Sequence, residues 1–132
     1  MISQVLAALG LARVGAAGFE ADDVIGTLAL RGAGDGLDVT VSTSDKDFAQ
    51  LVRPGVRLVN TMTGSHLDSD AAVIDKFGVP PQRIVDYLAL MGDAVDNVPG
   101  VDKCGPKTAA KWLGEYGSLD GVIAAAEGMK GK

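Results

Sequence analysis

Asp38-Val39-Thr40-Val41-Ser42-Thr43-Ser44-Asp45-Lys46-Asp47-Phe48-Ala49-Gln50-Leu51 is the stretch that decides the fold class. Its first half is β-branched and alternating, so 38–43 reads as a strand. Ser44 or Asp45 then caps a helix that ends near residue 52, ahead of Pro54. A strand followed directly by a helix, with carboxylates at the junction, is the repeating unit of an α/β sheet.

The same alternation continues in both directions. Upstream, residues 2–9 carry Ile2, Val5, Leu6 and Leu9 at helical spacing, and Gly10 stops the helix. The short apolar run 11–17 reads as a buried strand, and 20–31 as a helix. Glycines 32, 34 and 36 then form a loop. Downstream, 56–60 is a third strand and 61–69 a turn region. Asp70 caps a helix to Phe77, and Pro80-Pro81 opens a helix over 82–91. Past Asp93 the texture changes to glycine- and proline-rich turns. A helix over 107–116 and a last one over 118–126 follow, then a small polar tail over 127–132. Three strands with interposed helices predict a parallel sheet. The first helix has no strand before it, so one further strand is expected N-terminal to Met1.

Composition narrows the function. In 132 residues, one domain or a domain plus an appendage, aromatic residues make up 5%, so the core must be aliphatic. The net charge of −5 does not advertise nucleic-acid binding, so any such contact must use local lysines. Cys104 is the lone cysteine, which excludes a disulfide framework and a cysteine zinc site. No apolar run matches a membrane span, and the first residues lack the pattern of a signal peptide. A cytoplasmic location is expected.

Three acidic clusters remain: Glu20-Ala21-Asp22-Asp23, Asp45-Lys46-Asp47 and Asp93-Ala94-Val95-Asp96. In open parallel sheets ligands bind outside the carboxyl ends of the strands. The first two clusters follow strands and share that rim, while Asp93 and Asp96 must fold back to it. A single Asp at a helix start is most simply a cap. Capping needs one acid per helix, not two or three together. Converging carboxylates repel, by about 4 kcal/mol for one pair 4 Å apart at an effective dielectric near 20. Hard oxygen ligands in such a cluster fit Mg²⁺ or Mn²⁺.

These clusters, read as 19–26, 42–51 and 90–101, resemble in order the 5′-nuclease domain of bacterial DNA polymerase I, in the flap-endonuclease superfamily. The likeness runs from Ser3 to Lys132. It implies that Glu20, Asp22, Asp23, Asp45, Asp47, Asp93 and Asp96 hold two divalent ions. Glu20, Asp22 and Asp23 would serve the first, with Asp45 bearing on it or bridging. Asp47, Asp93 and Asp96 would serve the second, directly or through water. The family also has an N-terminal strand with a ligand Asp and a basic helical arch, which this sequence does not match. Little nuclease activity is therefore expected of the chain alone.

The turn Val98-Pro99-Gly100-Val101-Asp102-Lys103-Cys104-Gly105-Pro106-Lys107-Thr108 resembles the helix–two-turn–helix of the same superfamily. That segment grips duplex DNA by its backbone and often binds K⁺. Gly100, Lys103, Gly105, Lys107, Thr108 and Lys111 are the matching DNA-binding residues. Lys103 stands where many members have glycine. On this turn alone, solvated lysines on an ordinary loop are an equal alternative; beside the acid clusters the turn favours DNA.

Together these readings predict an α/β, PIN-like (resolvase-like) nuclease core over residues 1–97 and a DNA-binding appendage over 98–132. The implied function is metal-dependent 5′–3′ exonuclease or flap-endonuclease action on DNA with a 5′ end or 5′ flap, in replication and repair. A polymerase domain in the same protein is an implied partner. The rivals are a non-catalytic piece that binds duplex DNA and a PIN-like ribonuclease. His66 reads as exposed. Tyr87, Met91, Trp112, Leu113 and Tyr116 read as packing residues, and Cys104 as filler.

Overall fold

The computed structural model describes residues 1–128, so the end of the polar tail, 129–132, lies outside the described residues. Helix α1 (Ile2–Ala8) is followed by α2 (Ala21–Gly34), β1 (Val39–Ser42) and a 3₁₀ helix (Lys46–Leu51). Then come β2 (Val56–Asn60), β3 (Ser65–Leu67), α3 (Asp70–Phe77) and α4 (Ile84–Met91), which a 3₁₀ turn (Pro81–Arg83) introduces. Helices α5 (Pro106–Tyr116) and α6 (Leu119–Ala125) complete the order before a closing 3₁₀ turn (Ala126–Gly128).

The sheet has three strands in the order β1-β2-β3, with β1 and β2 parallel and β2 and β3 antiparallel. The α/β class holds, but the expected all-parallel sheet becomes a mixed one for two local reasons. Residues 11–17 form no strand. Their whole run is exposed, Arg13 and Gly15 interrupt it, and the Arg13 guanidinium instead donates to Ser3 Oγ at 2.7 Å. The third strand comes from the expected turn region. Asn60 Oδ1 accepts from Met62 N and Thr63 N, and Gly64 at φ +71° reverses the chain. Ser65, His66 and Leu67 then pair back onto β2. His66 is exposed, as expected.

Helix α2 runs through the glycines expected to end it. Gly32 faces β1, where an added Cβ would lie 3.1 Å from Val39 Cγ2, and Ala33 packs on the core. The expected helix over 45–52 is a 3₁₀ turn instead. Its three-residue period stacks Phe48 and Leu51 on one side, and both are buried.

One aliphatic core joins the sheet to the C-terminal helices. Val41, Val56 and Leu58 supply the sheet side, and Ile84, Leu90, Ala109 and Leu113 the helical side. Tyr87 is buried and meets Phe77 edge-on, with ring centroids 6.1 Å apart. Met91, Trp112 and Tyr116 lie partly buried against this core. The Asp86 carboxylate accepts from Leu119 N at 3.2 Å and ties α4 to the start of α6.

The first 20 residues contribute nothing to that core. Helix α1 has no buried residue, and Ile2, Leu9, Leu11, Val14 and Phe19 are exposed. On α2, Ile25, Leu28 and Leu30 are also exposed, and β1 is an edge strand. An apolar surface beside a free strand edge favours association. The chain on its own should therefore self-associate. Light scattering should show a mass that rises with concentration, and a constant monomer mass would contradict this.

Candidate metal centre

The site forms where the end of β1 meets the loop after α4. Asp45 is extended, and its Oδ1 accepts from Asp47 N at 2.9 Å, so it caps the 3₁₀ turn. The turn delivers Asp47 toward Asp93 and Asp96. One carboxylate oxygen from each of these three residues lies within 4.8 Å of the others, and they are the one such group among the described residues. The loop that carries Asp93 is closed on itself: Asp93 N donates to Val98 O, and Val98 N to Asp93 O, both at 2.8 Å. Gly92 and Gly100, at φ +80° and +66°, let it fold back on the end of α4.

Electrostatics differ across the three. Burial, and then the negative charge of Asp45, push the Asp47 carboxyl up from its ordinary range. Its Oδ1 is buried and has no hydrogen-bond partner. Asp93 is held low by its bond from the Lys46 ammonium, aided by Val95 N, which donates to Oδ1 at 2.9 Å. Lys46 Nζ donates to Asp93 Oδ2 and lies 3.9 Å from Asp47 Oδ1. Lys46 is in turn held protonated above the usual lysine range, chiefly by Asp93. An unpartnered, buried carboxylate oxygen beside two further carboxylates is a donor set that fits a hard divalent cation.

The other sequence-selected acids fall into two groups. Asp22 and Asp23 line a cavity of about 250 Å³ together with Asp47, Phe48 and Gln50, so they face Asp47 from α2. Asp23 Oδ2 also accepts from Glu20 N at 3.2 Å. Glu20 precedes the helix and is exposed. Its expected placement after a strand fails, because no strand precedes it. Asp22 joins the cavity although helical spacing alone predicts that it points elsewhere. Lys46 is the site residue that sequence reasoning missed, and its place between two aspartates was the available signal.

The expected DNA-binding residues sit together on the second unit. Lys103, Lys107 and Lys111 are exposed, and Gly105 is the N-cap of α5 with no side-chain cap bond. Lys103 adopts φ +60°, a conformation that favours glycine. Cys104 is buried, which pushes its thiol up and removes it as a nucleophile.

An α/β domain that presents clustered carboxylates beside a strand end, followed by a small helical unit, is an acid-centred domain. The sequence places it further. Residues 1–78 match the family "5′-3′ exonuclease, N-terminal resolvase-like domain", and residues 79–132 match "5′-3′ exonuclease, C-terminal SAM fold". The chain belongs to the 5′-3′ exonuclease family. It is 54% identical over 121 residues to DNA polymerase I of Pseudomonas aeruginosa, which covers 91% of this chain and 13% of that protein. It is 44% identical over 123 residues to a 5′-3′ exonuclease of Aquifex aeolicus, covering 93% of this chain and 42% of that one. The chain thus spans less than half of these relatives. The fold is also that of a T5 5′-exonuclease with divalent zinc ions bound, at TM-score 0.82 and 23% identity, over 97% of this chain and 47% of that one. A bacteriophage T5 flap endonuclease in complex with DNA and metal ions gives TM-score 0.83 at 22% identity, over 98% and 47%. No helix among the described residues is long and apolar enough to cross a membrane.

Proposed function

We propose that this chain is part of a divalent-metal-dependent nuclease that hydrolyses DNA phosphodiesters at a 5′ end or 5′ flap. The observation that carries this reading is the convergence of Asp47, Asp93 and Asp96, with Asp47 Oδ1 buried and unpartnered, in a chain of the 5′-3′ exonuclease family. Asp47, Asp93 and Asp96 would hold one Mg²⁺ or Mn²⁺. Asp22 and Asp23, with Glu20 just before them and Asp45 two residues before Asp47, would contribute to a second. Bound there, divalent ions supply polarisation of the scissile phosphate and of the attacking water. The chain's own part is placement. The cap on the 3₁₀ turn orients Asp47, and the closed 93–98 loop fixes Asp93 and Asp96.

In this reading residues 1–97 form the nuclease core and 98–132 the DNA-binding region. Gly100, Lys103, Gly105, Thr108 and the α5 lysines would meet phosphates of the duplex, and K⁺ would bind in the same turn. The exposed lysines and the uncapped start of α5 support this. Such contacts are independent of base sequence. Lys107→Ala should weaken duplex binding equally for unrelated sequences and lower the slope of log K against log salt by about 0.9. An unchanged slope would remove Lys107 from the interface. A polymerase domain in the same protein, work in replication and repair, and a cytoplasmic location complete the proposal, supported by the relatives named DNA polymerase I.

The test of the metal reading is calorimetry of the chain with Mn²⁺, beside an Asp45→Ala, Asp47→Ala double variant. Binding by the chain and its loss in the variant are expected. Equal binding by both would remove these residues from the site. Cleavage of a 5′-flap duplex with Mn²⁺ separates catalysis from binding alone. Cleavage would support the nuclease reading, and binding without cleavage the alternative of a duplex-binding piece.

A further inference from the structure

We propose that Lys46 is a tethered counter-ion of this metal site, which occupies Asp93 in the metal-free protein and gives it up when a divalent ion enters. The inference rests on the metal reading of Asp47, Asp93 and Asp96 and concerns a residue outside that ligand set.

Both oxygens of Asp93 are engaged in the structure. Oδ1 accepts from Val95 N, within its own loop, and Oδ2 accepts from the Lys46 ammonium across 47 residues of sequence. An ion that takes Oδ2 would stand beside the Lys46 ammonium on the same oxygen, and the repulsion between the two cations favours its departure. The same ammonium stands 3.9 Å from Asp47 Oδ1, too far for a hydrogen bond but close enough to offset its charge. Lys46 is thus the cation shared by two of the three carboxylates. The tether is short, because Lys46 adjoins Asp47 and the cap on Asp47 N fixes the backbone there. The side chain has a way out: it is 40% exposed, whereas that of Asp93 is 8% exposed. Lys46 can move into water and leave Asp93 in place. A flexible ammonium on a four-carbon stem suits this role better than a guanidinium locked in a two-bond pair.

The consequence is that the lysine and the divalent ion compete. Lys46→Met keeps the length of the side chain and removes the charge. It should bind Mn²⁺ about tenfold more tightly by calorimetry, the scale expected for one nearby charge at a solvent-exposed site. Lys46→Gln should behave alike, and Lys46→Arg, which keeps the charge and grips a carboxylate with two bonds, should show no gain. Thermal unfolding with and without metal separates this role from a merely structural one, for which metal would leave the gap open. In EDTA the midpoint of Lys46→Met should fall below that of the unchanged protein, and saturating Mn²⁺ should close the gap. No variant is needed for a second measurement. The acetylation rate of Lys46, mapped by mass spectrometry, should rise several-fold when Mn²⁺ is added, while that of Lys111 stays constant. Equal or weaker Mn²⁺ binding by Lys46→Met, or an acetylation rate indifferent to the metal, would overturn the inference. Asp47→Asn tells the two readings apart. If it abolishes Mn²⁺ binding while Lys46→Met matches the unchanged protein, the Lys46 inference alone fails. If it binds as the unchanged protein does, the carboxylate site fails and the inference with it.

Discussion

Alanine at Gly100 should cost about 3 kcal/mol of stability and weaken the metal site at the same time. Gly100 lies at φ +66°, where a Cβ is strained whatever surrounds it. An added Cβ would also lie 2.5 Å from Gly92 N, 2.6 Å from Met91 C and 2.7 Å from Gly92 Cα. Those atoms are backbone at the end of α4, so no side-chain rotation relieves the clash. Relief requires the chain at 98–101 to move away from α4 and to break the bond from Val101 N to Leu90 O. The loop that moves is the one that carries Asp93 and Asp96. Urea denaturation should show the stability loss, and Mn²⁺ calorimetry a weaker affinity. Gly114→Ala is the control. Gly114 lies inside α5, has nothing within 4 Å of an added Cβ and has an ordinary φ. It should gain up to about 1 kcal/mol and keep its metal affinity. Equal stability of the two variants would contradict the account of the loop.

Asp47 should show the opposite pairing of stability and function. Asp47→Ala removes a ligand, and its Mn²⁺ affinity should fall by more than about 100-fold, beyond the loss typical of a residue that only supports a ligand. The metal-free variant should nonetheless be more stable than the unchanged protein, by about 0.5–1 kcal/mol at neutral pH. The cause is the buried, unpartnered Oδ1 of Asp47 beside the charge of Asp45. The folded state holds the Asp47 proton more tightly than the unfolded chain does. The unchanged protein therefore loses stability as pH rises from the ordinary aspartate range through the raised pKa of Asp47. The advantage of the variant should appear across that window, persist above it and vanish below it. Asp93 acts in the other direction. Its lowered pKa contributes stability at neutral pH that is lost as pH falls through the acid range. A metal-free Asp47→Ala protein less stable than its parent at neutral pH would contradict the strain assigned to this carboxylate.

The parts of the fold that were legible in the sequence are those where local chemistry and burial agree. Val39, Val41, Val56 and Leu58 alternate as their strands require, and Ser118 caps its helix as expected, whereas Ser69, not Asp70, caps α3 because its hydroxyl accepts from Ala72 N. The failures come where the pattern is short or the partner is remote. Residues 11–17 have the apolar content of a strand, but no ladder forms there. Residues 65–67 have almost no apolar content, and a glycine turn makes them a strand. At the site, the acid clusters were visible as residue types, and three residues from two of them, Asp47, Asp93 and Asp96, converge. The cap at Asp45 was legible too; what the sequence could not show was that Asp47 is left unpartnered and Asp93 is held by Lys46. Lys46 and Asp93 are 47 residues apart, and no local pattern encodes such a pair.

The central claim is that Asp47, Asp93 and Asp96 share a divalent ion. Crystals grown with saturating Mn²⁺ and measured for anomalous scattering locate that ion directly. A peak is expected about 2.1 Å from carboxylate oxygens of these residues, at the distance of a directly coordinated hard cation, with Lys46 Nζ withdrawn from Asp93 Oδ2. Peaks clear of all three carboxylates, or none at saturation, would contradict it.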